Sequence, residues 1–130
     1  METALKYMAK KHATLANNYR TPDGKHSESC GCIAVDIAKI LLTENRLPYI
    51  ARVWGRLVDN VNRTSIIPRP FGGRISWGVH QVCCEGGSVY DPMIGIVPVA
   101  IDNYCKKAFR GEVEMGVLVN QAEIREFVRR

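Results

Sequence analysis

The sequence predicts an α+β fold in which an antiparallel sheet packs against helices. Two helical stretches open the chain, three strand-like segments follow as a block, and a helix, a strand and a last helix close it. Strands grouped after helices, rather than alternating with them, favour antiparallel pairing over βαβ units. The 130 residues suit one domain spanning 1–130, long enough to bury a core without metal or disulfide support. Apolar residues at 46% and charged residues at 24% are ordinary globular values.

The elements follow in order. Residues 3–16 read as a helix, with Leu5, Met8, His12 and Leu15 on one stripe. Asn17 to Ser29 is rich in turn formers and reads as a loop. A second helix begins at Cys30, with Ser27 or Ser29 as its N-cap, and ends before Leu47-Pro48. Residues 49–58 are β-branched and aromatic, as in a strand. Residues 59–74 form a long loop with Pro68, Pro70 and Gly72-Gly73. Residues 75–84 and 88–93 flank the turn signal Glu85-Gly86-Gly87 and predict a β-hairpin. A short helix over 98–109 has Pro98 at its first position. A strand over 113–119 leads to a final helix, for which Asn120 and Glu123 resemble a capping box.

The bulk numbers exclude several function classes. No apolar stretch is long enough to cross a bilayer, and the first residues lack an h-region and a cleavage site. The expected location is therefore cytoplasmic, or the cytoplasm of a target cell if the chain belongs to a larger exported protein. The net charge is +5, but the 18 basic residues are diffuse and only 8% of residues are aromatic. That pattern suits loose attraction to an acidic partner and lacks the clustering of a nucleic-acid footprint. The five cysteines, Cys30, Cys32, Cys83, Cys84 and Cys105, are an odd number and read as free thiols. Structural zinc uses pairs two to four residues apart. Neither Cys30-Gly-Cys32 nor adjacent Cys83-Cys84 has that spacing, so no metal or other cofactor is expected.

Cys30 and Cys32 both fall at the expected start of the second helix, where unpartnered N–H groups favour a thiolate. Helical spacing separates them. Steps of four, seven, eight and eleven from Cys30 land on Ala34, Ile37, Ala38 and Leu41, the apolar stripe that must face the sheet. Cys32 shares its face with Val35, Asp36 and Lys39. Cys30 is thus the thiol directed at any base on the sheet.

The hairpin supplies that base. If Glu85-Gly86 forms the two-residue loop, His80 lies directly opposite Asp91; if Gly86-Gly87 does, Asp91 is its diagonal neighbour. Both registers keep the two side chains on one face, at Cβ separations of about 4.5–5.5 Å or 7–8 Å. A three-residue loop would separate them. Singly, Cys30 reads as a small buried hydrophobe, His80 as a core histidine and Asp91 as a turn carboxylate. Together they form the nucleophile, base and orienting group of a cysteine hydrolase.

The segments SCGCIAVDIAKILL, ARVWG and WGVHQVCCEGGSVYDPM together resemble the papain-like superfamily, in particular transglutaminase-like domains and bacterial papain-fold toxin domains. The resemblance covers residues 28–93. It implies a papain-like fold, with Cys30 as nucleophile, His80 as general base, Asp91 as orienter and Ala34 as the small residue one turn after the thiol. It also implies thiol-dependent acyl transfer on amide or carboxamide bonds of a protein or peptide: proteolysis, glutamine deamidation or transamidation. A cognate inhibitor or immunity protein is an implied partner, and an inactive papain-fold binding or adaptor domain is the alternative. The papain pattern CGSCW would select Cys32 instead of Cys30. The oxyanion glutamine that papain carries before its cysteine has no equivalent, leaving His26, Ser29 or helix-start N–H groups for that role. Gln81 stands where many transglutaminase-like chains carry Trp.

Overall fold

A computed structural model describes residues 2–18, 26–73 and 75–129. Two helices, α1 (Ala4–Asn18) and α2 (His26–Thr43), precede seven strands: β1 (Tyr49–Gly55), β2 (Ile67–Pro68), β3 (Val79–Glu85), β4 (Ser88–Tyr90), β5 (Val99–Ala100), β6 (Phe109–Arg110) and β7 (Val113–Val119). Helix α3 (Ile101–Ala108) lies between β5 and β6, and α4 (Ile124–Phe127) follows β7. Five strands form an antiparallel sheet in the order β5-β4-β3-β1-β7, and β2 pairs with β6 apart from it. The architecture is α+β with an antiparallel sheet.

Strand alternation divides the core into two layers. On one face Ile50, Cys83, Tyr90 and Val119 pack against α2 through Ala34, Ile37, Ala38 and Leu41, all buried. Ala4, Tyr7 and Met8 of α1 and Ile124 of α4 complete this layer. On the other face Ala51, Val53, Val82, Cys84 and Val89 pack against Tyr104, Ala108, Phe109, Ile66 and Trp77. The adjacent cysteines Cys83 and Cys84 thus belong to different layers.

Several expected boundaries move. Leu5 is 52% exposed, and the buried stripe of α1 runs through Ala4, Tyr7, Met8 and Leu15 instead. Helix α2 begins at His26 rather than Cys30, so positions 27 and 29 lie inside the helix rather than before its start. Of the expected loop over residues 17–29, residues 17–18 belong to α1 and 26–29 to α2, while 19–25 lie outside the described residues. Helix α2 stops at Thr43, before the Pro48 signal. Asn45 takes a left-handed φ of 60°, and the N–H groups of Asn45 and Arg46 bond to the carbonyls of Leu42 and Leu41, a Schellman cap. Val99 and Ala100 form a short strand, so Pro98 precedes α3 without starting it. Strand β3 begins at Val79, four residues after the expected start.

The hairpin is the one that positions the site. Glu85 pairs with Ser88 around Gly86-Gly87, and both glycines have positive φ, 58° and 78°. A two-residue loop with that geometry matches the twist of the flanking strands. The second predicted register is therefore the one adopted: Asp91 is diagonal to His80.

Candidate active site

His80 and Asp91 face the α3 layer, whereas Cys30 comes from α2 on the opposite face. They meet where the β3–β4 ladder stops. Cys83 pairs with Tyr90, and the next hydrogen-bonded pair would join Gln81 to position 92. Proline there has no N–H, and the chain turns through residues 92–94. The Gln81 main-chain N–H is thus released from the sheet, and it donates to Cys30. A narrow pocket at this gap is lined by Leu15, Cys30, Ile33, Gln81, Pro92 and Met93, together with His80 and Asp91.

The His80–Asp91 pair is buried and fully oriented. His80 Nε2 lies 3.0 Å from Asp91 Oδ2; a carboxylate only accepts, so Nε2 carries the proton. Asp91 Oδ2 also accepts the Tyr104 hydroxyl at 2.5 Å, and Oδ1 accepts the Met93 N–H at 3.0 Å. Trp77 stacks on the imidazole at 5.2 Å, and Phe109 meets it edge-on at 5.7 Å. The rings exclude water and strengthen the charge coupling within the pair. His12 of α1 donates from Nδ1 to the Pro92 carbonyl at 2.7 Å, tying the turn after Asp91 to α1.

That environment sets the charges. Burial pushes the His80 pKa down, but the charge and hydrogen bond of Asp91 override it and carry it up to about 9. Burial pushes Asp91 up, but His80, Tyr104 and the Met93 N–H hold the carboxyl below its ordinary value. Burial and Asp91 hold the Tyr104 phenol well above its ordinary value, so it stays a donor. Burial also pushes the Cys30 thiol up, yet His80 and the Gln81 N–H together hold it below the ordinary thiol range. His80 Nδ1 is buried and has no hydrogen bond of regular geometry among the described residues. The contact with Cys30 is therefore looser than that with Asp91.

The other thiols differ. Cys32 is exposed on the outer face of α2. Burial pushes Cys83 up, and burial carries Cys84 up to about 12. Burial also raises Cys105. Cys30, His80 and Asp91 are thus brought together, and Cys32 is not part of the group. No three His, Cys, Asp or Glu side chains form a metal-binding group among the described residues.

One expectation about the thiol is corrected. Cys30 is the fifth residue of α2, beyond the four N–H groups that a helix start leaves open. The macrodipole also fades within the first turn. Helix-start donors are therefore not what depresses this thiol. His80 and the Gln81 main-chain N–H do so instead. The Gln81 carboxamide oxygen would lie 3.0 Å from a Cβ on Gly31, so this glycine leaves room for that side chain against α2. Sequence reading missed Tyr104, His12 and the role of Gln81. Only Gln81 carried any signal, because the residue next to His80 in a strand faces the opposite layer, the one from which Cys30 comes.

No described helix is long and apolar enough to cross a membrane. No protein-family model, curated protein or solved structure matches this chain.

Proposed function

We propose that the chain is a papain-like, thiol-dependent acyl-transfer enzyme, with Cys30 as nucleophile, His80 as general base and acid, and Asp91 as the residue orienting His80. The observation carrying this reading is a buried histidine held by a carboxylate at 3.0 Å that also lowers the pKa of a half-buried cysteine. Packing alone has no use for a charged pair of this kind, since burying ions is costly unless they serve each other or a ligand.

The steps follow from the assigned protons. Proton transfer from Cys30 to His80 Nδ1 leaves a thiolate beside an imidazolium. The thiolate attacks an amide or carboxamide carbonyl, and the negative charge formed on oxygen is met by the main-chain N–H and carboxamide of Gln81. Collapse of this intermediate breaks the C–N bond, and His80 gives its Nδ1 proton to the departing amine or ammonia. A thioester on Cys30 remains. Water, losing a proton to His80, resolves it to the acid in proteolysis or glutamine deamidation; an amine resolves it to a new amide in transamidation. Asp91 keeps the Nε2 proton in place throughout, fixing the tautomer.

The acyl-enzyme is the test. Brief treatment with p-nitrophenyl acetate and intact-mass measurement is expected to add one acetyl group per chain, located on Cys30. Cys30→Ala and His80→Ala abolish the burst of p-nitrophenol, and Cys32→Ala retains it. A burst that survives Cys30→Ala, or vanishes in Cys32→Ala alone, overturns the assignment.

A further inference from the structure

The sheet face beside Cys30 holds two buried donors that no described residue satisfies. Helix α2 packs on Ile50 and Cys83, whereas Arg52 and Trp54 of β1, on the same strand face, stay half-buried. The Nε of Arg52 and the Nε1 of Trp54 are both buried without a hydrogen-bond partner among the described residues. No ion pair reaches the Arg52 guanidinium among those residues either. Other arginines of the same sheet region are engaged. Arg46 pairs with Glu85, Arg63 pairs with Glu114 and bonds the Gly55 carbonyl, and Arg69 bonds the Lys106 carbonyl. A half-buried guanidinium with an orphan N–H is costly unless an acceptor arrives from outside.

Its position relative to the sulfur is fixed by register. Arg52 pairs with Gln81 across β1 and β3. Gln81 directs its N–H toward Cys30, so its pair with Arg52 is the non-hydrogen-bonded kind, with Cα atoms about 4.5 Å apart and side chains adjacent. Cys30, Gln81 and Arg52 therefore stand in a row. Trp54 lies two residues further along the same face, its indole laid over Gly116, where a Cβ would sit 2.8 Å from the ring. The Arg63 guanidinium lies 5.3 Å from the Trp54 ring centre.

We infer that this row is an acyl-donor subsite, which takes an acidic peptide segment whose carboxylate docks on Arg52 while its acyl group lies at Cys30. The inference rests on the acyl-transfer reading and names its substrate class. A peptide advances about 3.3 Å per residue when extended, so the Asp or Glu side chain lies one or two residues from the bond attacked. The guanidinium matches a carboxylate in charge and fork geometry, and a peptide carbonyl would satisfy Trp54 Nε1. The net charge of +5 attracts the same class of partner over longer range.

The test is protection of Cys30 from iodoacetamide, followed by peptide mass mapping, in the presence of Ac-Glu-Glu-Glu-NH2, Ac-Gln-Gln-Gln-NH2 or an eight-residue oligothymidylate. The Glu peptide is expected to protect, with the Gln peptide about ten-fold or more weaker, as loss of a charge-assisted bond requires. Arg52→Gln is expected to remove the difference between the two peptides, and Arg46→Gln to keep it. Equal protection by Glu and Gln peptides overturns the inference. Stronger protection by the oligonucleotide also overturns it in favour of a phosphate ligand, and a selectivity unchanged in Arg52→Gln assigns it to bulk charge. Failure of Cys30 to label faster than Cys32 without any peptide would instead count against the acyl-transfer reading, so the two failures are distinct.

Discussion

The pH dependence of Cys30 alkylation tests the charge state worked out for the site. An ordinary thiol, with a pKa of about 8.5, is about 3% thiolate at pH 7 and about 0.3% at pH 6. Cys30, held below that range by His80 and the Gln81 N–H, carries a larger thiolate fraction than the reference thiol at each pH. Its ionisation advantage over N-acetylcysteine is therefore at most about 30-fold at pH 7 and is larger at pH 6 than at pH 8. The weaker nucleophilicity of a less basic thiolate lowers both values by one common factor, so the growth with falling pH survives. The measurement is the second-order rate for iodoacetamide from pH 6 to 8, resolved by residue through mass mapping. Cys83, Cys84 and Cys105 stay nearly silent in the folded protein, because burial raises each of them. His80→Ala removes the main groups that lower the thiol, and Cys30 then follows the slope of the reference. A ratio of Cys30 to N-acetylcysteine that stays constant between pH 6 and 8 in the wild type would refute the reasoning.

Three further outcomes follow. Tyr104→Phe keeps the ring and removes one of the donors to Asp91; it is expected to cost about 1.5–3 kcal/mol in urea unfolding, and a loss under about 0.5 kcal/mol would mean that the bond is not formed in solution. In a Cys30→Ala background, the His80–Asp91 pair stabilises the fold most between about pH 4 and 6.5. The depressed Asp91 loses its contribution as pH falls through its folded pKa, and the raised His80 loses its own as pH climbs through its folded pKa; Asp91→Asn should flatten both limbs, which chemical denaturation across pH would show. Gly31→Ala places a methyl 3.0 Å from the Gln81 carboxamide while raising helix propensity by up to about 1 kcal/mol. This variant is expected to melt no lower than wild type yet to acetylate more slowly with p-nitrophenyl acetate at an unchanged iodoacetamide rate. Loss of both rates together would contradict an oxyanion role for Gln81.

Local pattern carried much of the site. The spacing from Cys30 to Ala34, Ile37, Ala38 and Leu41 identified the buried face of α2, because each of these side chains must meet the sheet. Period-two alternation placed His80 and Asp91 on one face for either two-residue turn, and the positive φ of Gly86 and Gly87 selected the diagonal register. The start of α2 was not legible, since the turn formers between Asn17 and Ser29 conceal the helical run from His26. Nor was Tyr104. Its hydroxyl reaches Asp91 only because α3 folds back over the sheet face through Phe109 and Val89, a contact set by tertiary packing. The extra strands β2, β5 and β6 are two residues each, too short for periodicity to register. Leu5 was misplaced because a helical stripe read from apolar letters alone overlooks Ala4 and Tyr7, which fit the same face.

Pro92 gives the fold an opposition between robustness and reactivity. A residue with an N–H at that position could lengthen the hairpin by another rung, and the sheet would gain a bond at its weakest seam. The same rung would recapture the amide that now serves the sulfur and close the slit through which the two layers communicate. A sturdier hairpin would therefore take that amide from the sulfur, and the break in the ladder is the opening in which Cys30 and His80 meet.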